Sequence, residues 1–122
     1  MPIVRVDVPE GHGREKLAKI YDAVERWMIA TWAKEHIWIS IGEKFTPPGN
    51  KQVIMTVDLR PGRGKEEERL RALFDGLQKE LASMIGTAPE TMIVLIRYFE
   101  QGACLSGGDP LPSLEELTPA LK

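Results

Sequence analysis

Cysteine is nearly absent from this chain. The single Cys104 has no partner for an internal disulfide, which suits a reducing compartment. Histidine is almost as scarce. His12 and His36 stand apart without metal-ligand spacing, so no metal is expected. No apolar run approaches the roughly 20 residues of a spanning helix. The opening MPIVRVDVPEG has no basic segment followed by an apolar one, so no signal peptide is expected. An excess of one charge is missing too. The formal net charge is -2, which argues against binding to nucleic acid or an anionic membrane through bulk charge. What remains is an ordinary globular composition, 43% hydrophobic and 28% charged over 122 residues. That length suits one domain, 1–122, with its own core. The expectation is a cytoplasmic protein with no cofactor.

The chain contains itself twice. Ile3-Val4-Arg5-Val6-Asp7-Val8 matches Ile54-Met55-Thr56-Val57-Asp58-Leu59, and the same offset carries Gly11 onto Gly62 and Gly13 onto Gly64. After two inserted residues, Leu17, Ile20, Tyr21, Asp22 and Val24 match Leu70, Leu73, Phe74, Asp75 and Leu77. Apolar positions hold while the others change, as expected of two copies of one structural unit, about 2–45 and 53–108. Each copy reads as strand, helix, strand. Val4, Val6 and Val8, like Met55, Val57 and Leu59, alternate with period 2. Helical spacing follows from about Arg14 to Trp32 and from about Lys65 to Ile85, where Gly86 and Pro89 end it. The closing strands are Ile37–Ile41 and Met92–Phe99. Thr46-Pro47-Pro48-Gly49-Asn50 is the natural linker, and the tail after Gly102 reads as a short hairpin with an irregular end. The fold class is therefore α+β: a tandem β-α-β repeat forming a four-stranded sheet with two helices on one face. The other face should carry Ile3, Trp38 and Ile54, an apolar surface suited to association.

Two features bear chemistry. Pro2 opens the first strand, and methionine is generally removed before proline. The exposed secondary amine would start from a pKa of about 7.7–8, and desolvation with nearby cations would lower it. That yields a base at neutral pH held by a strand. Pro2 can also simply start the strand, where its missing N–H costs nothing. The second feature is Arg60-Pro61-Gly62-Arg63, at the end of the third strand. Two guanidiniums on one turn can converge on a carboxylate, or stand as solvated loop residues. Trp38, Glu35 and His12 are weaker substrate-binding candidates. Trp27 and Trp32 read as core or interface, Arg97 and Tyr98 as interface, and Lys65–Arg69 as a solvated first helical turn.

With these residues in view, the chain resembles the tautomerase superfamily. It is similar to two fused copies of the short 4-oxalocrotonate tautomerase over about residues 2–108. VDLRPGRGKEEE resembles that family's strand, Gly-Arg turn and acidic helix start, and Leu105-Ser106-Gly107-Gly108 its closing hairpin. The Arg60 and Arg63 spacing is similar to the arginine pair of cis-3-chloroacrylic acid dehalogenase, and malonate semialdehyde decarboxylase has a tighter pair. The resemblance implies catalysis by Pro2 after Met1 removal and a homotrimer. Some positions depart from it. Trp38 and Ile93 stand where short tautomerases carry an arginine, and His12 replaces the arginine of the first turn. Asp22-Ala23-Val24-Glu25 lacks the relatives' helix histidine. Ile96 replaces a tyrosine, and no glutamate follows Glu100 until Glu115, so the dehalogenase's water-activating groups are missing. Glu35 lies near the decarboxylase's aspartate. Copy two begins inside the chain, which leaves one site per chain.

Two functional classes follow. One is a tautomerase-type isomerase acting on a small 2-oxo or enol carboxylic acid. A variant within that class uses cationic Pro2 as a hydratase, dehalogenase or decarboxylase of a short unsaturated or 3-oxo acid. The other is a non-catalytic ferredoxin-like binding module, which needs no free amine.

Overall fold

The computed structural model describes residues 2–45, 52–86, 91–100, 103, 105–106, 108–110 and 114–121. The linker at 46–50, Pro89 and Cys104 lie outside them. The chain runs β1 (Ile3–Pro9), α1 (Gly13–Thr31), β2 (Trp38–Lys44), β3 (Val53–Leu59), α2 (Glu66–Ile85) and β4 (Met92–Tyr98). A two-residue hairpin, β5 (Leu105–Ser106) and β6 (Asp109–Pro110), and a single helical turn, α3 (Leu114–Leu117), follow. The expected hairpin is present. The chain end is more ordered than its composition suggested, because Leu117 is buried and anchors α3.

The four long strands form one sheet in the order β2-β1-β3-β4. Within each copy the strands are parallel, Ile3 facing Trp38 and Ile54 facing Ile93. Between copies the pairing is antiparallel, with Ile3 opposite Asp58. Head of β1 and tail of β3 therefore lie side by side. The repeat persists in the backbone. Gly11 and Gly13 have φ of 106° and 80°, and their counterparts Gly62 and Gly64 have 96° and 80°. These left-handed angles favour glycine, which explains why the glycines match across copies.

Alternation sorts the sheet residues. Val4, Val6, Val8, Val53, Met55, Val57 and Leu59 face the helices and are buried with Ile20, Val24, Met28, Trp32, Leu73, Leu77 and Leu81. Each such side chain contributes about 1.5–3 kcal/mol of hydrophobic stabilisation. The opposite face has no element over it among the described residues. Trp38 is 65% exposed there, on the same face as Ile54, Ile93 and Leu95, as the alternation required. Asp58 and Arg97 form a two-point ion pair across β3 and β4 on that face, at 2.9 and 3.0 Å.

The two helices meet at Gly76, which has no side chain to hold off Trp27. A methyl built there would overlap the indole ring. The Trp27 Nε1–H donates to Glu80 at 2.7 Å, and Arg26 grips the same carboxylate. Replacing Gly76 with alanine should thus destabilise the protein by about 1–3 kcal/mol, because overpacking outweighs alanine's better helix propensity. Urea unfolding of Gly76→Ala checks this, and a gain in stability would contradict the close approach.

At the far end of β1, the Gly11 and His12 N–H groups donate to Glu43 at 2.6 and 2.9 Å. These bonds, the one from His12 foremost, hold the Glu43 carboxyl below its ordinary value of 4.5. A depressed acid contributes stability above that value and loses it as pH falls through the folded pKa. Glu43→Gln should therefore flatten the acid limb of the stability profile below about pH 4.5, read by thermal melts across pH.

Candidate active site

The antiparallel register brings several predicted residues to one end of the sheet. Pro2 is buried at the head of β1. The Trp38 N–H donates to its carbonyl at 2.9 Å, which fixes the start of β2 beside it. One step beyond the Ile3–Asp58 pair, Pro2 runs alongside Leu59, and the Arg60–Gly64 turn begins immediately after. The Phe99 N–H donates to the Leu59 carbonyl at 3.0 Å, so the end of β4 reaches the same place. Two polypeptide segments here hold non-glycine residues in the left-handed region, His36 at φ 60° and Lys65 at φ 54°. They are the only such residues among those described, and strain of this kind concentrates at functional sites.

Arg60 is 2% exposed. Arg63 folds back over the turn, and its Nη1 donates to the Arg60 carbonyl at 2.7 Å. Its Nε and Nη2 are buried and have no hydrogen-bond partner among the described residues. Those two nitrogens form the edge of a guanidinium that matches a carboxylate with parallel hydrogen bonds. Burial pushes the Arg63 pKa down to about 10, and the charges of Arg60 and Arg69 push the same way. It remains a cation at neutral pH, but a costly one. An arriving anion would relieve that cost.

Arg69 is not part of a solvated turn. It is 5% exposed and donates to three carbonyls: Gly64 at 2.9 Å, Thr31 at 2.7 Å and Pro119 at 2.9 Å. Its first-turn neighbours Glu67 and Glu68 are exposed as expected. Glu66 accepts from the Gly64 and Gly62 N–H groups at 3.1 and 3.3 Å. The backbone N–H groups around it hold its carboxyl below the ordinary value. A cavity of about 420 Å³ opens between the turn and the chain end, lined by Lys34, Arg63, Arg69, Leu114, Glu115 and Thr118 among others. Glu115, far from the turn in sequence, thus lines the same cavity as Arg63.

The remaining candidates are placed as follows. Glu35 is at the Pro2 end but exposed, 3.9 Å from His36. Trp38 adjoins Pro2 through backbone, yet alternation turns its side chain to the uncovered face, whereas Pro2 shares parity with the core residues. His12 lies beyond the opposite end of β1, whose seven residues span about 20 Å. Within one chain it does not meet Pro2. Tyr98, read from sequence as an interface residue, belongs to this end. Burial raises its phenol pKa, Glu66 adds to the rise and Arg63 opposes it. Its place beside Arg63 depends on the β3–β4 register, which spacing alone does not display. Among the described residues no group of three His, Cys, Asp or Glu could hold a metal. No described helix is long and apolar enough to cross a membrane.

Among known proteins, no family profile and no curated sequence matches this chain. Solved structures do. A fused 4-OT described as an asymmetric trimer superposes with a TM-score of 0.73 at 20% identity, over 88% of this chain and 94% of that one. A member of the cis-3-chloroacrylic acid dehalogenase family gives 0.73 at 17% identity, over 93% and 86%. FG41 malonate semialdehyde decarboxylase inhibited by 3-bromopropiolate gives 0.64 at 19%, over 81% and 84%. The chain, two β-α-β copies in one sheet, thus shares the fold of the fused 4-OT structures.

Proposed function

We propose that the protein is a tautomerase-type enzyme whose base is the Pro2 amine, freed by removal of Met1. The neutral amine takes a proton from the carbon next to a carbonyl. The electron pair moves onto the carbonyl oxygen, and the proton returns at another carbon or at oxygen. Arg60 and Arg63 hold the carboxylate of a small 2-oxo or enol acid and stabilise the enolate charge. The observation that carries this reading is the buried Nε–Nη2 edge of Arg63, without a hydrogen-bond partner among the described residues, at the sheet end that also holds Pro2. Clustered guanidiniums at that end disfavour a second cation, which lowers the amine's pKa. The structural neighbours are tautomerases, dehalogenases and decarboxylases, which supports an enzyme of this broad kind. We place it in the cytoplasm, on its single cysteine.

A second reading gains from Glu115. A carboxylate on the wall opposite Arg63 could orient water toward a short unsaturated acid, with Pro2 as the cation. That would make the enzyme a hydratase or dehalogenase. Product analysis on enol acids and on 3-haloacrylates separates the two.

Intact mass and a Pro2→Ala comparison test the common core. The expected result is a chain lacking Met1, with turnover abolished in Pro2→Ala. Arg63→Ala should lose roughly 30- to 1,000-fold in kcat/KM, and Arg63→Lys should not restore it, because lysine lacks the planar fork. A retained Met1 with no turnover would favour the non-catalytic binding module, and full turnover in Pro2→Ala would remove Pro2 from the mechanism.

The uncovered sheet face fits a homotrimer with sheets packed round a common axis, and a fused 4-OT neighbour is described as a trimer. Sedimentation at micromolar concentration should give a trimer, and Leu95→Glu should dissociate it by burying a charge in the contact. A stable wild-type monomer would refute the assembly.

A further inference from the structure

Arg69 has no place in the chemistry just described, yet it is among the most buried charges of the chain. Its guanidinium joins three separate segments. Thr31 ends α1, Gly64 closes the arginine turn, and Pro119 lies just past α3. The segment 114–121 is also tied to the loop after α1. The Lys34 N–H donates to the Leu117 carbonyl at 2.6 Å, and the Leu117 side chain is 2% exposed. A helix of one turn does not hold its place through its own hydrogen bonds. Its position depends on these anchors.

That position matters to Arg63. Leu114 comes within 3.9 Å of where a side chain on Gly62 would begin, so α3 lies against the turn. The cavity between them has Arg63 on one side and Leu114, Glu115 and Thr118 on the other. Thr118 Oγ1, like the Nε and Nη2 of Arg63, is buried without a hydrogen-bond partner among the described residues. Unpartnered donors excluded from water bind an anion more strongly than hydrated ones, because the ligand has no solvent to displace and the local dielectric is low.

We propose that Arg69 is a positioning residue for Arg63: it ties the C-terminal segment to the arginine turn and keeps the carboxylate-binding edge of Arg63 shielded from water. The segment is then a wall of the cavity that Arg63 lines, and the ligand it serves is a small carboxylate. The ligand class rests on the function proposed above. The shielding rests on geometry alone.

Phenylglyoxal, which labels accessible guanidiniums, tests the shielding without turnover. Peptide mass mapping should show Arg63 labelled far more slowly than the exposed Arg26 and Arg71 of the same molecule. Arg69→Gln should accelerate Arg63 labelling by on the order of tenfold, the change expected when a charged hydrogen bond of the closed state is lost. Arg26 and Arg71 should keep their rates. Arg69→Lys should behave like Arg69→Gln, since one ammonium cannot span carbonyls on three segments. Leu117→Ala loosens the same segment while leaving Arg69 intact, and should also expose Arg63. In turnover, both substitutions should raise KM for a carboxylate substrate with kcat within about threefold, as expected for lost binding rather than lost chemistry. Arg63 labelling as fast as Arg71 in the wild type, or unchanged in folded Arg69→Gln and Leu117→Ala, would overturn the proposal. Accelerated labelling in a protein inactive on all enol acids would keep the shielding and reject the catalytic reading. Unchanged labelling with a Pro2-dependent activity would do the reverse.

Discussion

The antiparallel pairing of β1 with β3 joins the two copies and sets everything at the candidate site. Each copy alone is a parallel pair with a crossover helix, and the head of its first strand lies a strand's length from its own strand-to-helix turn. Pairing Ile3 with Asp58 turns one copy against the other, so the head of the first strand meets the tail of the third. A parallel arrangement would have put Pro2 beside Val53 and sent the arginine turn about 20 Å away, to the end where His12 lies. The alternation of β1 and β3 enforces the register, since a slip of one residue would expose Val4, Val6 and Val8.

The copies differ most where their architecture is most alike. Both strand-to-helix turns use two left-handed glycines and present N–H groups to a carboxylate. In copy one that carboxylate is Glu43, reaching across from β2, and the turn carries no arginine. In copy two it is Glu66, from the helix's own first turn, and Arg63 beside it is crowded by Arg60 and Arg69. The same backbone device serves stability in one copy and gathers positive charge in the other. Only the second sits beside the head of the chain's first strand, so the pseudo-symmetry gathers Arg60, Arg63 and Arg69 at one end of the sheet.

Much of this was readable in the residues. Strand alternation, helix spacing, the glycine pairs and the stop at Gly86 located the elements to within a few residues. The repeat located the Arg60–Arg63 turn relative to copy one, and alternation sent Trp38 to the open face. What escaped the sequence depends on contacts between distant positions. Arg69 follows three glutamates in a helix start and looks solvated, yet it bonds carbonyls 38 and 50 residues away. Gly76 looks like a weak point in a helix until Trp27 is laid across it. Tyr98 and Glu115 join the arginine end through strand register and a buried leucine, neither of which leaves a local pattern.

The meeting of strand head and strand tail also bears on how the protein is handled. A polypeptide continued ahead of Pro2 along the direction of β1 would run toward Arg60 and its turn rather than away into solvent. An affinity tag or fusion partner placed there would do more than cap an amine. It would lay extra chain across the ground beside the arginine turn. Attachment after residue 122 avoids that path, though it loads the segment that Arg69 holds down. Preparations made with the two tag positions are therefore different molecules at the one place where their differences count.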